Sequence, residues 1–480
     1  MTSEEHVSAG RIALQSGRWE EARDAFEAAL DQAETPEALD GMGEALWWLC
    51  DARSSVRFRE RAYVGFRRAG DTTRACLTAL SLSTSYLVNL GNEAAARGWL
   101  GRAEGVMRRA DPNPMQGWLW AIGGYLSEDP HRSRELLGRA LDFARESGDV
   151  DLELMTLGDL GLDLVVEGEV EEGMAMLDEA MAGTLGGEYE SLQTVVFTSC
   201  SMLAACSLAG DLERAMQWCR VADEFMKDYG CPFLYARCRV HYGDVLVAKG
   251  HWEHAENELQ AALDMSEDAG PGPKEEALAR LADLRFRQGR LEEAEALLAV
   301  LDDGANGGLP AAEIRLARGE PQVAVALLRR RLKQLGERHI EVPQVLAMLV
   351  EAHIASGDLD AAAAAASRLL QVAHAGARPH AAALSTLASA HISIAKDQSA
   401  EAVGQLESAL EQFSQLDLPL ETARARCQLA AALVDEQPEL AVAEAASALA
   451  AFEELGATAD ADSAAALLRS LGASRRVGHR

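Results

Sequence analysis

The chain has 480 residues, 48% of them hydrophobic but only 5% aromatic, so the material for burial is mainly Ala and Leu. Lys and Arg number 45 against 76 Asp and Glu. The net charge of −31 argues against direct nucleic-acid binding, because a duplex carries one phosphate charge per ~1.7 Å and must be met by basic side chains.

The start, Met1-Thr2-Ser3-Glu4-Glu5-His6, lacks the basic residues and apolar run of a leader. No apolar run of about 20 residues is found to span a bilayer, so a cytoplasmic chain that does not enter a membrane is expected. Eight cysteines stand at 50, 76, 200, 206, 219, 231, 238 and 427, none in a Cys-x-x-Cys pair and none with a following His pair at zinc-finger spacing. Reduced thiols on helical apolar positions fit this pattern.

Taken in order, the chain is punctuated by turn positions at Gly17, Cys50, Gly91, Glu128, Gly168, Gly210, Gly250, Gly289, Gly319, Gly357, near Asp397 and near Gln437. Between them lie apolar stretches of helical period. Twelve residues after the first seven turns stand Ala29, Ala62, Ala103, Ala140, Ala180, Ala222 and Ala262. Seven residues before four of the turns stand Gly10, Gly43, Gly161 and Gly243. Small residues at fixed offsets on both sides of a turn mark the places where two helices touch. His241 to Leu263 shows the unit whole, with Gly243, Gly250, Ala255 and Ala262 in register.

This is the pattern of a tetratricopeptide repeat, a helix–turn–helix unit that buries its apolar face only by stacking on copies of itself. The spacing of about 38 residues exceeds the signature of roughly 34, so the helices or connections are longer. The expected fold is all-α, a right-handed superhelical solenoid of about 12 helix pairs.

Past Leu263 the regularity loosens. Glu267 to Pro273 and Asp302 to Pro310 read as loops, and the short step from Gly289 to Gly319 predicts a shortened unit. The expected organisation is therefore repeats over 1–301, an irregular loop over 302–310, continuous Ala-rich repeats over 311–471, and a basic tail or linker over 472–480.

No phosphate loop, Gly-x-Ser-x-Gly elbow or His-Glu-x-x-His helix occurs. His251 and His254 are three apart on one helix, but they sit among Glu253 and Glu256 in a polar first turn and lack further donors. No catalytic residue, metal site or cofactor is assigned, and a non-enzymatic chain is expected.

A binding surface is better supported. In this repeat the first helix lines the concave wall, with residues thirteen, ten, six and three places before the turn facing the groove. For Cys50 these are Glu37, Asp40, Glu44 and Trp47; for Glu128 they are Met115, Trp118, Ile122 and Tyr125. For Gly210 they are Phe197, Cys200, Ala204 and Ser207; for Gly250, Arg237, Val240, Asp244 and Val247. The candidate ligand-binding residues are thus Trp47, Trp118, Tyr125, Phe197, Cys200, Arg237 and Asp244, a mostly apolar wall with a few polar groups. The competing reading is that a tight superhelix closes on itself and makes these same residues core. Trp120, on the packing register, is assigned to the core.

Leu46-Trp47-Trp48-Leu49-Cys50-Asp51, the segment Cys200 to Cys219, Cys238-Arg239-Val240-His241-Tyr242, Glu276 to Leu297 and Leu467 to Ala473 resemble large actinobacterial LuxR-type transcriptional regulators. The resemblance covers nearly the whole chain. It implies a sensor or assembly region followed by a C-terminal helix-turn-helix that binds DNA, and Arg480 stands where that domain would begin. The implied role is a regulatory module that takes a protein, peptide or small-molecule ligand in its groove and reaches DNA only through a helix-turn-helix domain or a partner. A constitutive protein–protein scaffold is the alternative, and self-association into a homo-oligomer is compatible with either.

Overall fold

The computed structural model describes residues 1–108, 115–230, 232–269, 271–301, 308–375 and 378–478. They form 25 α-helices, which run as twelve successive pairs and one final helix. The first six pairs are α1 (Ser3–Gln15) and α2 (Trp19–Gln32), α3 (Pro36–Trp48) and α4 (Ala52–Ala69), α5 (Thr72–Val88) and α6 (Glu93–Met107), α7 (Met115–Tyr125) and α8 (Pro130–Ser147), α9 (Val150–Val166) and α10 (Val170–Gly186), and α11 (Leu192–Ala209) and α12 (Leu212–Tyr229). Then come α13 (Pro232–Ala248) and α14 (Trp252–Ala269), α15 (Pro271–Arg287) and α16 (Leu291–Leu298), and α17 (Gly308–Ala317) and α18 (Pro321–Gln334). The series ends with α19 (Val342–Ala355) and α20 (Leu359–Ala375), α21 (Pro379–Ala395) and α22 (Ser399–Gln415), α23 (Pro419–Ala432) and α24 (Pro438–Leu455), and α25 (Thr458–Gly478). The all-α solenoid expected from the repeat is the fold observed.

Most pairs are closed by a backbone device that the sequence announces. At Gly250 φ is +81°, the left-handed conformation that costs a residue with a Cβ about 1–2 kcal/mol. That conformation lets the N–H of His251 donate to the carbonyl of Leu246 at 2.9 Å and the N–H of Gly250 to Val247 at 3.2 Å, which satisfies the last carbonyls of α13. The indole N–H of Trp252 donates to the Val247 carbonyl as well, at 2.9 Å. Ten of the twelve expected turn positions have positive φ, including Cys50 at 65° and Asp397 at 57°. Glu128 and Gln437 lie in connections of another form.

The small-residue registers are packing registers. Ala29, Ala62, Ala103, Ala140, Ala180 and Ala262 are all fully buried; the side chain of Ala222 lies outside the described residues. A Cβ on Gly161 would stand 2.8 Å from the carbonyl oxygen of Gly173, so α9 and α10 meet backbone to backbone. Phe26 on α2 threads between Gly10 of α1 and Gly41 of α3, and its ring occupies the space where either Cβ would lie. One of the largest buried side chains thus sits beside two of the smallest residues.

One expectation changes. Among the described residues of the loop expected from Glu267 to Pro273, 267–269 belong to α14 and 271–273 to α15, which opens on Pro271, a residue whose missing N–H suits the first helical turn. The apolar helix α11 is, by length and composition, able to cross a membrane. Here Val195, Val196, Met202, Leu203 and Cys206 are buried against neighbouring helices, so its apolarity is that of a core element. The shortened unit is present, with α16 only 8 residues and α17 only 10. Residues 302–307 of the expected irregular loop lie outside the described residues.

The chain divides into two compact units: Met1–Tyr242 with Gln260–Ala277, and Gly243–Leu259 with Leu278–Arg480. In the first, the core cluster that holds Val7, Phe26, Trp47 and Trp48 also contains Val88 and Val196. In the second, Val345, Leu349, Leu369 and Ala388 belong to one cluster, and Leu406, Leu429, Leu433 and Leu471 to another.

Candidate functional site

The first unit brings together residues far apart in sequence. Trp47, on the last turn of α3, is 7% exposed and lies near Phe197 of α11, with ring centroids 6.3 Å apart and planes tilted by 27°. Its indole N–H donates to the side-chain oxygen of Asn89 at 3.1 Å, a bond buried on both sides. Trp48 meets Trp47 edge-on at 4.9 Å and stacks on Trp19 at 4.1 Å. Behind this wall Asp40 and Glu44 are pushed above the usual carboxylate range, mainly by burial, with Arg59 opposing the shift in both.

A polar group stands beside it. Arg237 of α13 lies near enough to Tyr125 for its charge to act on that hydroxyl, and its Nε lies 3.9 Å from a carboxylate oxygen of Glu276. Burial opposes the charge on Arg237, but Glu276 and Tyr125 outweigh it, so the guanidinium is held more firmly protonated than usual. Burial pushes the Tyr125 hydroxyl up, with Arg237 pulling the other way. Asp159 is pushed up to about 7 by burial and by Asp163, against a hydrogen bond from Ser201. The Sγ atoms of Cys200 and Cys238 lie 3.6 Å apart.

Of the seven expected residues, Trp47 and Phe197 meet, and Tyr125, Cys200 and Arg237 form the adjoining polar group. Trp118 packs elsewhere in the same unit, its indole N–H donating to Asp149 at 2.9 Å. Trp120 meets Phe143 edge-on, with the Arg139 guanidinium 4.1 Å from its ring centroid. Asp244 belongs to the second unit, where it pairs with Arg280 at 3.1 Å.

That second unit holds a polar column that sequence reasoning picked up only at Asp244. The position six before each turn carries Asp244, Asp283, Glu313, Glu351 and then His391. Asp283 pairs with Arg287 at 2.9 Å, and Arg287 also lies 3.4 Å from Glu421. Glu313 is pushed up to about 7, by burial and by Asp283, while Arg287 and Arg424 oppose the shift. His391 shares a 2.8 Å hydrogen bond with Gln428. The signal was the same register, continued past Gly250. Among the described residues no group of three or more His, Cys, Asp or Glu is placed to hold a metal ion.

Residues 125–411, more than half of the chain, match the family described as the MalT-like TPR region. The chain belongs to that family. No curated relative matches the sequence. Among solved structures, this MalT-like TPR chain is similar to one described as the crystal structure of the APC/C hetero-tetramer Cut9-Hcn1, at 13% identity and a TM-score of 0.50, over 97% of this chain and 96% of that one. Yeast Tom70 is matched at 13% identity over the same shares, but with a TM-score of 0.30. At that identity the Cut9-Hcn1 likeness bears on the fold alone, and it agrees with the repeat reading.

Proposed function

We propose that this MalT-like TPR chain is a non-enzymatic, cytoplasmic regulatory module of the LuxR type, which senses a ligand or protein partner through the wall of its first unit. The carrying observation is that two wall residues, Trp47 and Phe197, are engaged across the superhelical turn, with the Arg237 charge acting on Tyr125 beside them. An occupant that takes those faces must replace these contacts or fit the shape they hold. Its effect then follows from different affinities for two shapes of the unit, since a ligand shifts an equilibrium only by that difference. DNA is reached through a helix-turn-helix domain or a partner.

The test uses Tyr125→Phe and Arg237→Gln in the full-length or partnered regulator, with regulated transcription as the readout. The altered polar group should weaken the response while helical content is retained. An unchanged response in folded variants would count against the wall.

A constitutive scaffold is the second reading, in keeping with a stacked-repeat fold that offers extended surfaces to partners. Partners recovered equally with and without cell metabolites would support it.

A further inference from the structure

We propose that Cys200 and Cys238 form a reversible disulfide when the protein meets a peroxide, a modification site that ties α11 to α13. The two sulfurs are 38 positions apart in the chain but only 3.6 Å apart in space. A disulfide requires about 2.05 Å, so the two sulfurs need approach by only about 1.5 Å more to bond. Cys200 is half-buried and Cys238 is 5% exposed, so the pair lies at the margin of the core rather than on the open surface.

The surroundings divide the labour between the two thiols. The hydrogen bond from Cys238 and the nearby Arg237 charge favour thiolate on Cys200, and burial opposes it. The same hydrogen bond and burial keep Cys238 protonated. Elsewhere burial alone pushes Cys76 up to about 11, and burial first, with Asp211, pushes Cys206 up to about 12. Since the thiolate is the reactive form, oxidation should begin at Cys200.

The chemistry balances with hydrogen peroxide as oxidant. The Cys200 thiolate attacks a peroxide oxygen, the O–O bond breaks, and the departing hydroxide takes up a proton to leave as water. Cys200 is then a sulfenic acid. Cys238 gives up its proton and its sulfur attacks Cys200, and the S–O bond breaks with loss of a second water. Two electrons pass from the thiols to the peroxide, and a thiol reductant reverses the change. Cys238 directly follows Arg237, and Cys200 shares the wall with Phe197. The bond would therefore fix the spacing of that wall, whatever occupies it.

The experiment treats the full chain with hydrogen peroxide, blocks the remaining thiols and maps peptides by mass spectrometry. The expected product is a cross-linked Cys200–Cys238 peptide, lost on adding dithiothreitol. In Cys238→Ser the sulfenic acid should persist on Cys200 and react with a cyclic diketone probe. In Cys206→Ser the cross-link should form as in the parent. Oxidation of Cys200 to sulfinic acid without a cross-link would overturn the proposal, as would pairing of Cys200 with Cys219. The parent's peptide map does not depend on any variant folding.

Discussion

Asp159 shows what burial does to a single residue of this wall. Its carboxyl is pushed up to about 7 from an ordinary 3.8, so between those values the folded chain holds a proton that the unfolded chain releases. Stability from this group is therefore greatest at low pH and is lost as pH rises through that window. Asp159→Asn removes the titrating group without changing its size. The variant's gain over the parent should grow from about pH 4 to pH 7 and then level off, as followed by thermal melting of the two proteins across pH. A gain independent of pH would show that Asp159 is not desolvated. Nothing in the sequence distinguished Asp159 from the chain's other acids, because its shift arises from surrounding helices rather than from its neighbours in the chain.

At the scale of the element, turns and caps carry separable costs. Gly250 and Gly357 have φ of +81° and +80°, so Ala at either meets the same backbone strain. They differ in space: a Cβ on Gly250 would stand 2.6 Å from Leu455 and 2.8 Å from Pro419, whereas one on Gly357 meets nothing within 4 Å. Gly357→Ala should cost roughly 1–2 kcal/mol and Gly250→Ala about 1–3 kcal/mol more, read from hydrogen exchange of the flanking helices. Equal costs would refute the packing at Gly250.

Asp149 serves two elements at once, capping α9 through the Leu152 N–H at 3.0 Å and accepting from Trp118 at 2.9 Å. Asp149→Ala should cost about 1 kcal/mol for the cap and a further ~1–3 kcal/mol for the unpaired indole. Asp149→Asn should restore the cap alone, and chemical denaturation of the three proteins separates the two terms. An Asp before an apolar run is the local signal of such a cap, whereas an indole partner 31 residues away leaves no local mark.

At the scale of the whole molecule, the first unit is held by contacts between its ends. The indole N–H of Trp19 donates to the backbone carbonyls of Tyr229 and Gly230, and the Tyr229 ring fills the space over Gly17. In an open solenoid each repeat would depend only on its neighbours. Here Tyr229→Ser should speed hydrogen exchange in α1 and α2 as well as in α12. Exchange changed only in α12 would mean that this contact contributes nothing to the first repeat.

The repeat itself was determined by the sequence. Turns, the Ala column and the close glycines all rest on interactions between residues within about one repeat, so their spacing records them directly. Offsets counted back from the turns rest on the same spacing, and they placed Trp47, Phe197 and Arg237 on first helices. Which of these residues meet was decided only by tertiary structure. Closure of the first unit sums small rotations from one repeat to the next, and no single position encodes that sum. Trp47 thus found Phe197 across 150 positions, Trp118 found a helix cap, and Cys200 came to lie against Cys238.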